Sequence, residues 1–367
     1  MNRQEALEHF KENIAGNLIN DCKVKFQDNF RENEEKVRVL IIDGMKKLIN
    51  RAKELKELDR EYKMAVFQFE LLRINILNES YKIFAHGYNS LWYLDENSLY
   101  EEIDLKFLFE PFIKLKEKLI KEKKIYIGKV NNYDIQEIIF NLASESYMAM
   151  SESARNWFWN LDEEEWIQKS SVEEFYTMKW SEYQGKSETL FAMDDREKDI
   201  NELLELKKKP QEKLSFVYTV WKNSTLQQDD LSKQNMLFIN FKGSCLKKID
   251  FSESDIWRGQ FKATKIKDCE FKNSKLLGSS FENAVIEDSN FNSANCVGVD
   301  FSKSELSYVD FSNANLKNAI FTNAKFNKVS FEGANVEDAV FSEQDIPFIH
   351  LTSEQLQTIY IDGGKES

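Results

Sequence analysis

The chain has 367 residues, which is too long for a single small hydrophobic core and suggests two domains or one domain followed by a repeat array. It carries 50 Lys and Arg against 63 Asp and Glu, a net charge of −13 that argues against a general nucleic-acid-binding protein, because such proteins need cations to neutralise phosphates. Apolar residues make up 42% and proline occurs three times, which excludes disordered, collagen-like and proline-rich chains.

The N-terminal segment is polar and charged, so it contains no stretch typical of a secretory signal. No apolar run in the sequence is long enough for a transmembrane helix. The four cysteines show no C-x-x-C spacing: Cys22, Cys245, Cys269 and Cys296. These features predict a cytoplasmic protein with reduced thiols and no membrane contact.

Residues 1–210 predict an all-α domain, because Leu, Lys, Glu and Ile dominate and proline is nearly absent. An apolar face with steps of four and three predicts a helix over residues 58–76. The residues of that face are Leu58, Tyr62, Ala65, Phe69, Leu72 and Ile76. Further helices are predicted over 101–121, with a kink or break at Pro111, and from 132 to about 150.

The end of this half gives two more helix signals. Asp162 and Glu165 form a capping pattern that predicts a helix start. The charged segment 197–209 predicts a helix that ends before Pro210.

Aromatic residues concentrate late in this half, and the tryptophans among them are Trp157, Trp159, Trp166 and Trp180. They form either a hydrophobic cluster between helices or a partner-binding groove, since tryptophan commonly anchors interfaces. Both interpretations stay open, because the sequence does not show which helix faces are exposed.

The sequence period changes after Pro210. A Phe stands at every tenth residue from Phe241 to Phe341, and the position halfway between successive Phe residues is always apolar, as at Leu246 and Ile256. The residue two positions before each of these is mostly small. Such regularity defines a five-residue repeat.

The five-residue unit has a physical consequence. Residues i and i−2 of an extended chain point to the same side, so the large and the small residue both face inward. The chain must turn about once per unit, because otherwise the next large residue would face outward. Repeated turning stacks coils at about 4.8 Å, the usual distance between strands.

This unit, best seen in Ala314-Asn315-Leu316 and Ala334-Asn335-Val336, resembles the A(D/N)LXX motif of the pentapeptide-repeat family. The resemblance implies a right-handed quadrilateral β-helix with four units per coil, in which alternate Phe residues form two opposite columns. The complete prediction is a multidomain α plus β protein. Its parts are an α-helical domain at 1–210, a linker and array start at 211–230, the β-helix at 231–346, and a capping or dimerisation helix at 347–367.

The C-terminal segment carries a helix start, with Thr352 as N-cap and Gln355 three residues later. Leu356, Ile359 and Tyr360 form a short apolar face. This face either caps the last coil or joins two copies as a homodimer, as the resemblance implies.

No catalytic or metal-binding motif stands out. His9, His86 and His350 lie in distant segments without Cys or acidic residues at ligand spacing. Gly185-Lys186-Ser187 is similar to the end of a phosphate-binding loop, but Trp180 stands where that motif needs glycine. We therefore expect no catalytic residues, no metal, no cofactor and no enzymatic activity.

The charge of the array is uneven. Residues 241–275 contain 9 basic and 5 acidic side chains, whereas residues 276–346 contain 4 basic and 11 acidic ones. A rigid rod holds such charges at fixed spacing, which favours electrostatic recognition. The predicted partner-binding acidic face consists of Asp288, Asp300, Glu305, Asp310, Glu337 and Asp338.

Three functions stay open. The first is a non-enzymatic scaffold or regulator that binds a protein through its helical domain and rigid rod. The second follows from the family resemblance: a bacterial DNA mimic that binds DNA gyrase or another topoisomerase and confers inhibitor resistance, without contacting nucleic acid itself. The third is a helical effector or enzyme domain carried on a rod.

Overall fold

The computed structural model divides into two compact units, Met1–Met193 and Asp194–Ser367. It describes residues 1–57, 62–182, 185–196, 198, 200–207 and 216–363. The first unit is rich in helices, and the second contains a β-solenoid of about seven turns. This confirms the predicted α plus β architecture.

The first unit combines seven described helices with one five-stranded sheet. In chain order the helices are α1 (Arg3–Phe10), α2 (Gly16–Glu57), α3 (Arg73–Leu77), α4 (Lys106–Glu122), α5 (Asn132–Ala149), α6 (Ser151–Trp157) and α7 (Glu165–Gln168). The strands are β1 (Met64–Leu71), β2 (Lys82–Tyr88), β3 (Leu99–Asp104), β4 (Val172–Glu182) and β5 (Ser187–Asp194). Their order in the sheet is β3-β2-β1-β4-β5, with β1 antiparallel to β2 and parallel to β4.

The sheet corrects the prediction that residues 1–210 are all helical. The helix expected over 58–76 is wrong, because β1 occupies the middle of that range and, among its described residues, only those of α3 are helical; Leu58 lies outside the described residues. Every residue of β1 is buried, since the strand lies in the middle of the sheet. A strand buried on both faces shows no alternation of exposed and buried positions, so its apolar residues can also fit a helical spacing.

The structure confirms the other predicted helices only in part. Helix α5 confirms the helix predicted from residue 132. The helix predicted over 101–121 begins only at Lys106, as α4, because β3 occupies the residues before it. Pro111 lies inside α4. The start expected at Asp162 is only a single turn, followed by the short α7 and then β4. The charged segment 197–209 is helical over α8 (Ile200–Lys207), and residues 197, 199 and 208–210 lie outside the described residues.

One face of the sheet packs against the helices with large aromatic side chains. Phe69 stacks on Phe158, with ring centroids 5.9 Å apart, and Trp180 stacks on Tyr147 at 4.6 Å. The indole Nε1 of Trp180 donates to the backbone carbonyl of Tyr147 at 2.9 Å. Trp180 is completely buried, so it belongs to the hydrophobic core of the first unit.

Each coil of the solenoid contains four five-residue units, because the backbone pairs with itself once every four units. Parallel bridges show this register, as in Asn240↔Gln260 and Asp250↔Glu270. We name the four faces by the central residues of their units: face A (Phe241, Phe261), face B (Leu246, Ile266), face C (Phe251, Phe271) and face D (Ile256, Leu276). Face B forms a parallel sheet from β6 (Thr225–Gln227), β7 (Cys245–Lys247), β8 (Lys265–Lys267), β9 (Val285–Glu287), β10 (Glu305–Ser307) and β12 (Lys325–Asn327).

The Phe residues fill the interior as two columns. On face A, Phe261 and Phe281 are parallel within 2° at 4.6 Å, and on face C, Phe271 and Phe291 are stacked at 4.5 Å. Rings of opposite columns meet edge to face, as Phe281 and Phe291 do at 5.8 Å. Both aromatic geometries are favourable, and the two columns agree with the family resemblance.

Each corner of the coil is a turn in the left-handed region. Every fifth residue from Tyr218 to Asp338 has a φ between 48° and 70°. Asparagine and glycine adopt this conformation at little cost, which explains residues such as Asn313 and Gly243 at the corners. Because Tyr218 is the first such corner among the described residues, regular coils extend through most of the segment 211–230.

The C-terminal coil is covered by a short segment. The last coils contribute β11 (Ile320–Phe321) and β13 (Val340–Ser342). The covering segment contains α9 (Ser353–Leu356) and β14 (Tyr360–Asp362), and β14 pairs in parallel with β13. The predicted cap is present: Thr352 Oγ1 accepts from the Gln355 amide at 3.2 Å. Gln355 Nε2 also donates to the carbonyls of Phe331 and Ala334, both at 2.9 Å.

Candidate functional site

The predicted acidic residues of the distal coils do not share one face. Asp300 lies on face A, Asp288 and Glu305 on face B, Asp310 on face C, and both Glu337 and Asp338 on face D. Register fixes these positions, since each face recurs once per coil. The six residues therefore form no continuous stripe.

Most of these carboxylates lie beside lysines of a neighbouring coil. Lys325 Nζ lies 2.6 Å from Glu305, and Lys317 Nζ lies 2.8 Å from Glu337 and 3.8 Å from Asp338. The hydrogen bond and charge of Glu337 raise the pKa of Lys317 above its usual value. The placement gives ladders of paired charges rather than an unpaired acidic surface.

Face C carries an acidic column that the sequence analysis missed. Asp230, Asp250, Glu270 and Asp310 occupy the same outward position of different coils, with Asn290 between the last two. The Asp250 and Asp310 carboxylates each accept the amide of a serine two residues later, at 2.8 and 2.9 Å. Counting acids at intervals of one full coil, instead of along segments of the chain, reveals this column.

Face D carries an apolar column, which we call the face D stripe: Val217, Leu237, Trp257, Leu277 and Val297. Each residue follows the inward centre of its unit and therefore points outward. The same position is polar on the other faces, for example Lys242, Lys247 and Ser252. Trp257 is 46% exposed, and Leu277 and Val297 are partly exposed.

The face D stripe has polar groups beside it. Lys275 Nζ contacts the Asp255 carboxylate at 2.8 Å on the same face. Toward the C-terminal end, Lys317 and Glu337 take the stripe position and pair with each other. The stripe is thus an apolar strip with a charged border, which is the usual anatomy of a protein interface.

The three residues predicted for dimerisation lie at the C-terminal end of the solenoid, but not on one helix. Helix α9 ends at Leu356, and Tyr360 is the first residue of β14. Ile359 packs against the solenoid core, whereas Leu356 and Tyr360 are 41% and 62% exposed. Capping and surface exposure are therefore divided between different residues.

The predicted aromatic interface is also divided. Trp180 is a core residue, which contradicts its assignment to a surface groove. Trp157 is partly buried, and its Nε1 donates to Glu34 at 3.1 Å. Trp166 lies 5.2 Å from the ammonium group of Lys46, and Trp159 is partly exposed.

A buried polar cluster lies on the sheet face opposite the main core. We call it the sheet cluster; it consists of Gln68 and Glu70 on β1, His86 on β2 and Ser181 on β4. Pairing puts Gln68 opposite His86, and Glu70 opposite Ser181. Gln68 Nε2 donates to Glu70 Oε1 at 2.6 Å and to Ser181 Oγ at 2.9 Å.

Burial perturbs the two titratable groups of the sheet cluster in opposite senses. Loss of hydration raises the pKa of Glu70 to about 7 and lowers the pKa of His86 to about 4. His86 Nε2 lies 3.3 Å from Glu70 Oε2. Within the described part of the chain, neither Glu70 Oε2 nor His86 Nδ1 has a hydrogen-bond partner.

A short loop covers the sheet cluster. Trp92 adopts a φ of 52°, which is costly for a tryptophan, and its Nε1 donates to Gln68 Oε1 at 2.7 Å. The Asp95 carboxylate fixes the loop by accepting from the Tyr62 hydroxyl at 2.5 Å and from the Asn89 amide at 2.8 Å.

Beside the covered cluster, the sheet face opens into a depression of about 470 Å³. Its lining residues are Leu72, Arg73, Ile74, Phe84, His86 and Tyr100. The sequence analysis missed this site, because it predicted a helix across β1 and treated His86 as an isolated histidine. No local motif signals the site, since sheet pairing brings its residues together.

The described residues contain no group of three or more His, Cys, Asp or Glu side chains arranged to hold a metal ion. In the same part of the chain, no helix has both the length and the apolar character that a bilayer crossing requires.

Comparison with known proteins agrees with the coil geometry. Residues 264–346 match the family model described as pentapeptide repeat region. A pentapeptide repeat protein from the thylakoid lumen of Arabidopsis thaliana is 32% identical, over 31% of this chain and 72% of that chain, with a TM-score of 0.23. The chain belongs to the pentapeptide-repeat family. The family match covers the later coils and does not extend into the first unit.

Other solved structures of this family give partial matches. A pentapeptide repeat protein from Nostoc is 23% identical, over 29% and 77% of the two chains, with a TM-score of 0.21. QnrB1, a plasmid-mediated fluoroquinolone resistance protein, is 18% identical over 40% and 84%, with a TM-score of 0.20. No curated protein matches the chain.

Proposed function

We propose that this pentapeptide-repeat protein is a non-enzymatic scaffold or regulator that binds a protein partner through the face D stripe. The observation that carries the proposal is the apolar outward column itself. Five coils in succession place an apolar side chain where the other faces place polar ones. A soluble rod has no structural need for such a column, because its interior is already filled by the Phe stacks.

The stripe has the chemistry of an interface. Its members are spaced at about 4.8 Å, so they form a continuous strip that a partner helix or strand could cover. Trp257 is at the centre, and central tryptophans commonly contribute most to binding. The ion pair of Asp255 with Lys275 lies beside it, where charged groups contribute to specificity.

The experiment compares three full-length proteins as baits in a lysate of the source organism, with quantitative mass spectrometry. They are the wild type, Trp257→Lys, and the control Lys247→Glu, which changes the same outward position on face B. A partner captured by the wild type and the control, but lost with Trp257→Lys, supports the proposal. The interaction is then measured with purified partner, where we expect Trp257→Ala to weaken binding at least about tenfold. Equal capture by all three proteins would overturn the assignment to face D.

A second candidate function is favoured by the acidic column of face C. Asp230, Asp250 and Glu270 lie in successive coils, and such a column could occupy a DNA-binding surface of DNA gyrase or another topoisomerase. The test is a gyrase supercoiling assay with the full-length protein, with and without a quinolone. Inhibition or drug protection that is lost on Asp250→Asn with Glu270→Gln, but kept in Glu305→Gln, would support this candidate. No effect at a large molar excess over the enzyme would exclude it.

A further inference from the structure

We propose that the depression on the sheet of the first unit binds a small amphipathic carboxylate. The apolar body of the ligand lies against Phe84 and Tyr100, and its carboxylate pairs with Arg73. All lining residues of this site belong to the first unit, so the proposal does not rest on the scaffold function.

The depression provides the apolar contact. Phe84 and Tyr100 lie side by side, with ring centroids 5.7 Å apart, and Leu72 and Ile74 complete the wall. Ile74 and Tyr100 are 58% and 51% exposed, so a substantial apolar area faces water. A volume of about 470 Å³ is within the usual range for sites that bind small molecules.

Arg73 determines the charge of the ligand. Its guanidinium carbon lies 4.3 Å from the centre of the Phe140 ring, a contact that holds the group without neutralising it. Arg73 forms no ion pair with any residue that the structure describes. The nearby acid Glu102 pairs with Lys82 at 2.6 Å. An arginine held on an aromatic ring at the border of an apolar depression is suited to a carboxylate, which it can bind with two parallel hydrogen bonds.

The buried pair beneath the depression supports a binding role. Glu70 is completely buried. Its Oε2 lies 3.3 Å from His86 Nε2 but has no hydrogen bond within the described residues, and His86 connects it to the lining. Burying such groups without full hydrogen bonding costs stability, and buried groups of this kind are typical of functional sites. Because burial lowers the pKa of His86 to about 4, the imidazole is uncharged near neutral pH and does not compete with Arg73 for the carboxylate.

The test is isothermal titration of the full-length protein with three probes of equal chain length: octanoate, octylamine and octan-1-ol. We expect octanoate to bind and octylamine not to bind, with octan-1-ol weaker than octanoate. Arg73→Gln should weaken octanoate binding at least about tenfold. Arg31→Gln is the matched control, because Arg31 is 78% exposed on α2 and pairs only with Asp28 among the described residues.

A second variant tests the apolar wall. Tyr100→Ser should weaken octanoate and octan-1-ol alike, whereas Arg73→Gln should affect only octanoate. Far-UV circular dichroism and thermal melting confirm that each variant is folded; Arg73 and Tyr100 are both exposed enough for substitution to leave the core intact. The proposal is overturned if octanoate does not bind at about 10 mM, if octylamine binds equally well, or if folded Arg73→Gln binds octanoate like the wild type.

Discussion

Phe291 shows how much one side chain contributes to the solenoid. Its ring lies 4.5 Å from Phe271 below and 5.0 Å from Phe311 above, and it meets Phe281 and Phe301 edge to face. It is completely buried. Removing it would leave a cavity that neighbouring coils cannot close, because their own rings are fixed by the same stack.

Phe291→Ala is therefore expected to lower the free energy of unfolding by about 3–5 kcal/mol. Denaturant titration followed by circular dichroism measures the change. Phe348→Ala is the control, since Phe348 is 69% exposed, and it should change stability little. Equal stability of Phe291→Ala and the wild type would contradict the stacked-Phe core.

Glu70 and His86 should give stability a dependence on pH of opposite sign. Glu70 has a folded pKa of about 7 against 4.5 for a free side chain, so the unfolded state releases this proton first and stability falls as pH rises from about 4.5 to 7. His86 has a folded pKa of about 4 against 6.5, so the unfolded state takes up the proton first and stability falls as pH falls from about 6.5 to 4. The two effects oppose each other between about pH 4.5 and 6.5.

Glu70→Gln should remove only the first effect. We expect the stability of this variant relative to the wild type to be about 3 kcal/mol more favourable at about pH 8 than at about pH 4.5. Denaturant titrations at both pH values measure this difference. Glu102→Gln, a change at an exposed ion pair on β3, is the control. If the difference in stability between Glu70→Gln and the wild type were the same at both pH values, burial would not raise the pKa of Glu70.

At the scale of elements, the feature that repeats in every five-residue unit is a corner residue with a left-handed backbone conformation. All corner residues from Tyr218 to Asp338 adopt positive φ, although many of them are not glycine or asparagine. For an ordinary residue this conformation costs about 1–2 kcal/mol. The coils tolerate the cost because the stacked interior and the hydrogen bonds between coils fix the backbone.

Replacing one such corner residue by glycine should relieve that cost. Ala263 has a φ of 55° and an exposed side chain, so Ala263→Gly is expected to raise the free energy of unfolding by about 0.5–1 kcal/mol. Ala319 is completely buried at an inward position, so Ala319→Gly should lower it. A matched pair of denaturant titrations tests the contrast; destabilisation by both substitutions would mean that the corners carry no conformational cost.

At the scale of the whole molecule, the coil register converts linear sequence into columns. Residues one full coil apart become neighbours, as in the ion pairs of Lys267 with Glu287 and Lys325 with Glu305. The same register disperses the six predicted acidic residues over four faces. Association with a second copy remains a proposal, for which the exposed Leu356 and Tyr360 at the C-terminal end are the candidate contacts.

If this end joins two copies, Tyr360→Glu should convert a dimer into a monomer, because it puts a charge into an apolar contact. Tyr308→Glu is the control, since Tyr308 is a similarly exposed tyrosine at a corner of face B. Sedimentation velocity at micromolar concentration measures both variants. A monomeric wild-type protein would contradict the dimer proposal. A dimeric Tyr360→Glu protein would show that Tyr360 does not form the dimer contact.

The family resemblance implied four units per coil and two Phe columns. The amino-acid sequence by itself determined the stacked coil, its five-residue period, the inward side chains of each unit and the capping pattern of Thr352 with Gln355. These features are local or strictly repeated, so each unit carries the instruction for its own turn and its own inward side chains. Tertiary structure alone decided that residues 64–71 form a central strand, because burial of both faces removes the alternation that identifies strands. It also decided which acids share a face, that Glu70 meets His86 across paired strands, and that Trp180 lies in the core. Those outcomes depend on contacts between residues far apart in the chain, and no spacing within a single segment encodes them.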